Sequence, residues 1–236
     1  ATAITTAHSD YATSEPGQQL NANILQSEAE FYTSIRAKRV PEDGENLLRA
    51  LHRDGVEYIE VRLLDVSPYA PIGIDADTIN FIDTLLIYCL LTPSPDHDDV
   101  LCASVESNMQ AVVYGGRMPT MLSDMGQSLS LTDWGAGLLE SLLPIAEFLD
   151  SLIGRDNHSA SLSIQAGKLN QPDLTPSGHM LNDMQDASFH EFALAAARRH
   201  REYFLTQPLT DNEKNYFNEL SLASVIAQQQ KEAQKE

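Results

Sequence analysis

Charge set inside an alternating apolar pattern is the feature that most restricts how this chain folds. The stretch Gly55-Val56-Glu57-Tyr58-Ile59-Glu60-Val61-Arg62-Leu63-Leu64-Asp65 has the period of an extended chain, in which successive side chains point to opposite faces. Ile59, Val61 and Leu63 then share one face, suited to a core. Glu60 and Arg62 share the other, between Tyr58 and Leu64. A carboxylate and a guanidinium flanked by apolar groups suit the floor of a site that holds a metal ion and an anionic group. Taken alone, such an i, i+2 pair is more often a solvated face or a cross-strand salt bridge. The pattern therefore predicts a strand and its two faces, and only weakly a site.

The rest of the chain punctuates clearly. Residues 1–20 are rich in Ser, Thr, Ala and Gln and carry a Pro16-Gly17 turn signal, so they read as a loop or a truncated start. From Asn21 to Arg39 the chain is patterned. Alternation of Leu25, Ser27, Ala29 and Phe31 with Gln26, Glu28, Glu30 and Tyr32 suits a strand, while Ile24, Phe31 and Ile35 also fit helical spacing. A basic knot, Ile35-Arg36-Ala37-Lys38-Arg39, closes this segment. Glu45 to Arg53 reads as a short helix stopped at Asp54-Gly55, and Ser67 to Gly73 as a loop because of its two prolines. Asp75 caps a helix expected to bury Ile79, Ile82, Leu86 and Cys89, with Pro93 and Pro95 beyond it. Further helices are expected from about Asp98 to Tyr114 and from Asp133 to Leu152, the latter broken or kinked at Gly135, Gly137 and Pro144. Asp186 starts a helix through Phe204 with Phe189, Phe192, Ala193 and Ala196 inward, and Thr210 to Glu213 forms a capping box before the last helix. The domain plan is thus a loop at 1–20, a sheet portion at 21–74 carrying the site, and a mainly helical region at 75–236 with a polar tail from about 228. The fold class is α+β.

Composition excludes several partners. A formal net charge of -19 over 236 residues opposes nucleic acid and anionic membrane surfaces. It leaves nucleotides open, because a divalent metal reverses the local sign. Two cysteines make no disulfide scaffold, no basic-then-apolar leader is visible, and the longest apolar stretch is too short for a bilayer, so the chain reads as cytoplasmic. Cys89 reads as a buried small hydrophobe, His97 as a solvated loop residue, and Arg198 to Arg201 as a helix face suited to a C-terminal dipole.

The order of the short motifs sharpens the first signal. Asn21 to Tyr32, then Ile35 to Arg39, then Gly55 to Arg62, then Asp65 and Pro68-Tyr69-Ala70-Pro71-Ile72-Gly73 closely resemble the proteobacterial glutamate–cysteine ligase family. The resemblance continues more weakly through Cys89, Cys102, Asn108 and Gly116-Arg117-Met118-Pro119, and departs from the family at Met109 and Ala111. It implies that this chain is the C-terminal portion of a longer polypeptide, carrying part of a glutamine-synthetase-like antiparallel sheet and inactive alone. It implies a reaction in which ATP phosphorylates the γ-carboxylate of L-glutamate and L-cysteine then displaces phosphate, the first step of glutathione synthesis, with Mg²⁺ as cofactor. It assigns Glu60 to the metal, Arg62 to the transferred phosphoryl group and Tyr32 to the cysteine pocket. Glu28 fits as a further metal contact and Gln26 as a nucleotide contact. Arg36 and Lys38 either contact nucleotide phosphate or pair with acidic neighbours. The alternative of a different class is a non-catalytic acidic helical module that binds a partner.

Overall fold

The computed structural model describes residues 6–9, 21–27, 30, 32–94, 96 and 98–233. His97 and most of residues 1–20 therefore lie outside the described residues. Two compact units divide the chain, Ala1–Asp65 and Val66–Glu236.

In the first unit, strand β1 (Ile35–Lys38) pairs antiparallel with β2 (Tyr58–Val61), and helix α1 (Leu47–Asp54) lies in the connection between them. The register sets Ile35 opposite Val61, Arg36 opposite Glu60, Ala37 opposite Ile59 and Lys38 opposite Tyr58. Asn46 caps α1 by accepting from the Arg49 amide at 2.9 Å, and Gly55 at φ 76° ends it. Arg39 then donates from Nε to the Gly55 carbonyl at 2.7 Å and from Nη2 to the Asp54 carbonyl at 3.0 Å. One residue of the basic knot is thus spent on the end of a helix, satisfying carbonyls that have no intrahelical donor.

Two expectations change here. Residues 21–27 form neither strand nor helix; Asn21 and Gln26 bond each other's backbone, and only an isolated bridge, Ala7 with Asn23, is present. Short amides compete for backbone groups and so favour turns over either ladder. The strand expected through Asp65 is only Tyr58–Val61, and its proposed core face is open, with Ile59 46% and Leu63 49% exposed. A sheet face is buried only against a second layer, and within this unit α1 buries fully only Ala50.

The second unit is helical. It contains α2 (Ala76–Leu91), α3 (Asp99–Gly115), the hairpin β3 (Met121–Asp124) and β4 (Gln127–Ser130), then α4 (Leu131–Ile153), α5 (Asn157–Asn170), α6 (Pro176–Met184), α7 (Phe189–Thr206) and α8 (Asp211–Ala233). Among the described residues no helix is long and apolar enough to cross a membrane. The hairpin turns on Met125 (φ 45°) and Gly126 (φ 85°), the left-handed pair that matches strand twist. Asn108 of α3 holds the hairpin by mimicking a neighbouring strand, donating to the Ser123 carbonyl and accepting from its amide, both at 2.8 Å. The Ser67–Gly73 loop is closed by the Ser67 amide on the Gly73 carbonyl at 2.8 Å. It is pinned by Tyr69 Oη donating to Asp183 at 2.8 Å and His200 Nε2 donating to the Pro68 carbonyl at 2.8 Å. Burial, reinforced by Asp183, pushes the Tyr69 phenol up to about 12.

The core sits where α2, α4 and α5 meet: Leu142, Ala146 and Leu162, with Phe81, Leu85, Tyr88, Leu138 and Leu139 packed on them. Helix α2 therefore turns Phe81, Thr84, Leu85 and Tyr88 onto this core; of the expected Ile79, Ile82, Leu86 and Cys89, Ile82 and Leu86 are half-buried. Thr84 is fully buried, whereas Ile79 and Cys89 are exposed. Apolar residues lie on more than one side of α2, so periodicity alone does not select a face; packing against α4 and α5 does, and Thr84, its hydroxyl bonded to the Asn80 carbonyl, is buried there. Helix α4 is continuous through Gly135, Gly137 and Pro144. Gly135 is a packing residue, since a Cβ there would meet the Leu169 side chain at 2.8 Å. Ser188, not Asp186, caps α7 with a full capping box to Glu191, and Phe192 and Ala196 are buried while Phe189 is 61% exposed.

Asp150 joins α4 to α5. It is 6% exposed, yet accepts from the His158 amide (2.8 Å), His158 Nδ1 (2.8 Å), the Ser159 amide (2.9 Å) and Ser159 Oγ (2.6 Å). The formal cap of α5, Asp156, makes no side-chain bond, so Asp150 does that job from the preceding helix. Burial acts to raise its pKa, but Ser159 and His158 outweigh burial and hold it well below the usual carboxylate range. A depressed folded-state carboxyl gives its full stabilisation above its unfolded value and loses it as pH falls below about 4. Asp150→Ala is expected to destabilise the helical unit by about 2–3 kcal/mol, through four unmet partners at a buried helix start. In urea unfolding followed by Trp134 fluorescence, Asp150→Asn should flatten the decline in stability below about pH 4. An unchanged acid slope would remove Asp150 from this role.

Candidate active site

The antiparallel register builds one charged face from two strands. Residues directly opposed share a face, as do residues two apart along a strand. Arg36, Lys38, Glu60 and Arg62 accordingly share one face, and Ile35, Ala37, Ile59 and Val61 the other. Three cations and one carboxylate form a locally positive surface on a chain whose net charge is -19.

Glu60 is the centre of this face. Its Oε1 accepts from Arg62 Nε at 2.7 Å, and its Oε2 lies 3.1 Å from Lys38 Nζ. The bond from Arg62, followed by that from Lys38, lowers the Glu60 carboxyl to about 2. Glu60 in turn raises the Arg62 guanidinium above its ordinary value. Both groups are therefore ionised at any working pH. The guanidinium carbon of Arg62 stands 5.6 Å from the centroid of the Tyr32 ring, a cation–π distance. Tyr32 is 72% exposed, so the ring offers its surface to a ligand as well as to Arg62.

The structure thus brings Tyr32, Lys38, Glu60 and Arg62 together, with Arg36 across the ladder from Glu60. Gln26 sits in the preceding turn, where its amide nitrogen donates to the Asn21 carbonyl at 2.8 Å and its oxygen accepts from the Asn21 amide at 3.1 Å. Glu28 lies outside the described residues. Lys38 is paired with an acidic neighbour, one of the two readings its spacing left open. The role of Arg39 in ending α1 was not legible, because the knot Arg36-Ala37-Lys38-Arg39 shows no sequence mark that separates face residues from cap residues.

The donors fit some ligands better than others. Arginine and lysine spaced along one face suit the oxygens of a polyphosphate, and a planar guanidinium suits them bidentately. A magnesium ion takes about six oxygen ligands. Among the described residues no three metal-binding side chains cluster, so Glu60 would be one ligand of several.

Titration of the Glu60 carboxyl carbon by NMR is expected to give a value near 2, moving up toward the ordinary carboxylate range in Arg62→Met. Because the folded-state value is depressed, the pairing supports the β1–β2 ribbon above the unfolded carboxyl value and is lost as pH falls toward 2. An unshifted Glu60 in the unsubstituted chain would refute the pairing.

Comparison with known proteins shows the family to which the chain belongs. Residues 1–112 match the family model for glutamate-cysteine ligase. The chain is 41% identical over 213 residues to a glutamate–cysteine ligase of Pseudomonas fluorescens Pf-5, covering 89% of this chain and 40% of that protein. It is 40% identical over 214 residues to one from Bordetella parapertussis, covering 89% and 41% respectively. A crystal structure of the Francisella tularensis glutamate–cysteine ligase in complex with AMP matches with a TM-score of 0.84 at 28% identity, covering 97% of this chain and 47% of that one. The chain spans about two fifths of the length of these curated relatives.

Proposed function

We propose that this chain, which belongs to the glutamate–cysteine ligase family, supplies one wall of the active site of an ATP-dependent ligase. The reaction joins the γ-carboxylate of L-glutamate to the amino group of L-cysteine, the opening step of glutathione synthesis. The observation that carries this reading is Glu60 bound between Arg62 and Lys38 beside Tyr32, inside the stretch that matches the family model.

The roles follow from chemistry. ATP transfers its γ-phosphoryl group to the glutamate side chain, breaking the terminal phosphoanhydride bond and forming an acyl phosphate. The cysteine amine then attacks the acyl carbon, phosphate leaves, and the amine proton is lost. Charge moves between anions throughout, so fixed cations that meet the phosphoryl oxygens lower the barrier. Arg62 is the group for that contact, because its planar fork matches phosphate. Lys38 and Arg36 extend the positive face along the rest of the nucleotide's phosphates. Tyr32 presents an aromatic wall to the cysteine substrate. Gln26 shapes the turn that leads to Tyr32. Glu60 orients Arg62 and offers one oxygen ligand to Mg²⁺, with Glu28 a second; when bound, the metal neutralises phosphate charge. The opposite wall and the remaining ligands come from the part of the relatives' length that this chain does not span, the N-terminal part, so this chain alone is inactive. Use of ATP and a free thiol, with Cys89 and Cys102 both free, fits the cytoplasm.

The test is glutamate- and cysteine-dependent ATP hydrolysis, measured on this chain and on a chain extended to the relatives' length. Activity is expected only in the extended chain. There, Arg62→Lys should lower kcat/KM by about two orders of magnitude, because a point charge replaces a bidentate fork. Glu60→Gln should lower turnover and raise the Mg²⁺ concentration needed for half activity. Wild-type rates in Arg62→Lys would reject the phosphoryl contact, and an unchanged Mg²⁺ requirement in Glu60→Gln would remove Glu60 from the metal.

A further inference from the structure

The helical unit contains a cleft of about 740 Å³ that none of the roles above uses. The end of α3, the turn at Gly116–Pro119, the first turn of α4, the end of α5 and the start of α6 all contribute to it. Its volume lies within the usual range for small-molecule sites.

Its lining is unusual for this chain. Asp and Glu number 34 of 236 residues, yet no carboxylate lines the cleft, while Arg117 and Lys168 both do. Lys168 is half-buried and, among the described residues, makes no ion pair. The charge that acts on it through space is Asp75, which is itself committed to capping α2 through the Thr78 amide at 2.8 Å. Arg117 is paired with Asp173, which accepts from one terminal nitrogen at 2.6 Å. A guanidinium has five donors, so the others stay available. The carbonyls of Gly115 and Gly167, which end α3 and approach the end of α5, already accept from Thr120, Met118 and Gln171, and so do not present unpaired negative ends. The remaining walls are mixed: Val112, Leu131 and Leu169 give apolar surface, and Thr132, Asn170, Thr175 and Ser177 give uncharged polar groups.

We propose that this cleft binds a small molecule with an anionic end and an apolar body. The anionic end meets Lys168 and Arg117, and the body lies on Val112, Leu131 and Leu169. The site is in the helical unit and its existence does not rest on the ligase reading.

Octanoate and n-octanol, which share an apolar chain and differ in charge, are suitable probes. Saturation-transfer NMR on the unsubstituted chain should show saturable binding of octanoate, with n-octanol weaker by about tenfold, the difference one charge-assisted contact makes. Lys168→Met keeps the stem and removes the charge, and should weaken octanoate by about fivefold while leaving n-octanol unchanged. Equal binding of the two probes to the unsubstituted chain, no saturable octanoate binding, or octanoate binding untouched by Lys168→Met would each overturn the proposal. The comparison of probes on the unsubstituted chain stands even if the variant does not fold.

Discussion

The helical unit depends on one buried carboxylate. Asp150 ends α4 and starts α5, and it accepts four hydrogen bonds with almost no solvent access. Those bonds set the angle at which α5 leaves α4. That angle lets Gly135 approach Leu169 closely and brings Leu162 onto Leu142 and Ala146. A small core of this kind is sensitive to helix placement, because interiors are close-packed and tolerate little movement. Apolar burial alone would hold α4 and α5 together in many rotations. The directed bonds to Asp150 select one.

Glu60 offers an instructive contrast, because it too is a depressed carboxylate with strong partners. Around Asp150 two amides, a hydroxyl and a buried imidazole nitrogen all serve one acid, with almost no solvent access. Around Glu60 the balance is reversed. Arg62 gives it one donor of five, Lys38 one of three, and Arg36 stands across the ladder. All of this lies on a half-exposed face beside an exposed aromatic ring. A pKa shift alone would not separate the two residues. Spare donor capacity and access do, and they are what identify a structural cap on one hand and a binding face on the other.

Local chemistry was legible in the sequence wherever a short-range rule decided the outcome. Asp75 and Asp98 cap their helices as their positions imply, Thr210 and Glu213 form their reciprocal box, and Gly55 ends α1. The alternation at Tyr58 to Val61 placed Glu60 and Arg62 on one face, and motif order pointed to the family. What was not legible depended on distant partners. The inward face of α2 is chosen by α4 and α5, because its own sequence has apolar residues on more than one side. The continuity of α4 through Pro144 follows from packing along Leu142, Ala146 and Asp150, which outweighs one missing backbone donor. The use of Asp150 in place of Asp156 needs a contact that no local spacing encodes. The pairing of Lys38 with Glu60 required the β1–β2 register, and with a helix in the connection no tight turn fixes it.

The open apolar face of the β1–β2 ribbon follows from the same reasoning. An isolated pair of strands is marginal in water, and Ile35, Ile59 and Leu63 are each about half exposed. The charged face, by contrast, is already organised without any ligand, because Glu60 holds Arg62 and Lys38 apart from each other at fixed positions. Without that carboxylate, three cations on two short strands would repel and disperse. Glu60 therefore serves the proposed chemistry before any metal arrives: it keeps cations concentrated where an anion binds. The chain's overall negative charge does not oppose this, since screening at physiological salt confines each charge to within about 8 Å. A polyphosphate responds to the local face, and that face is positive.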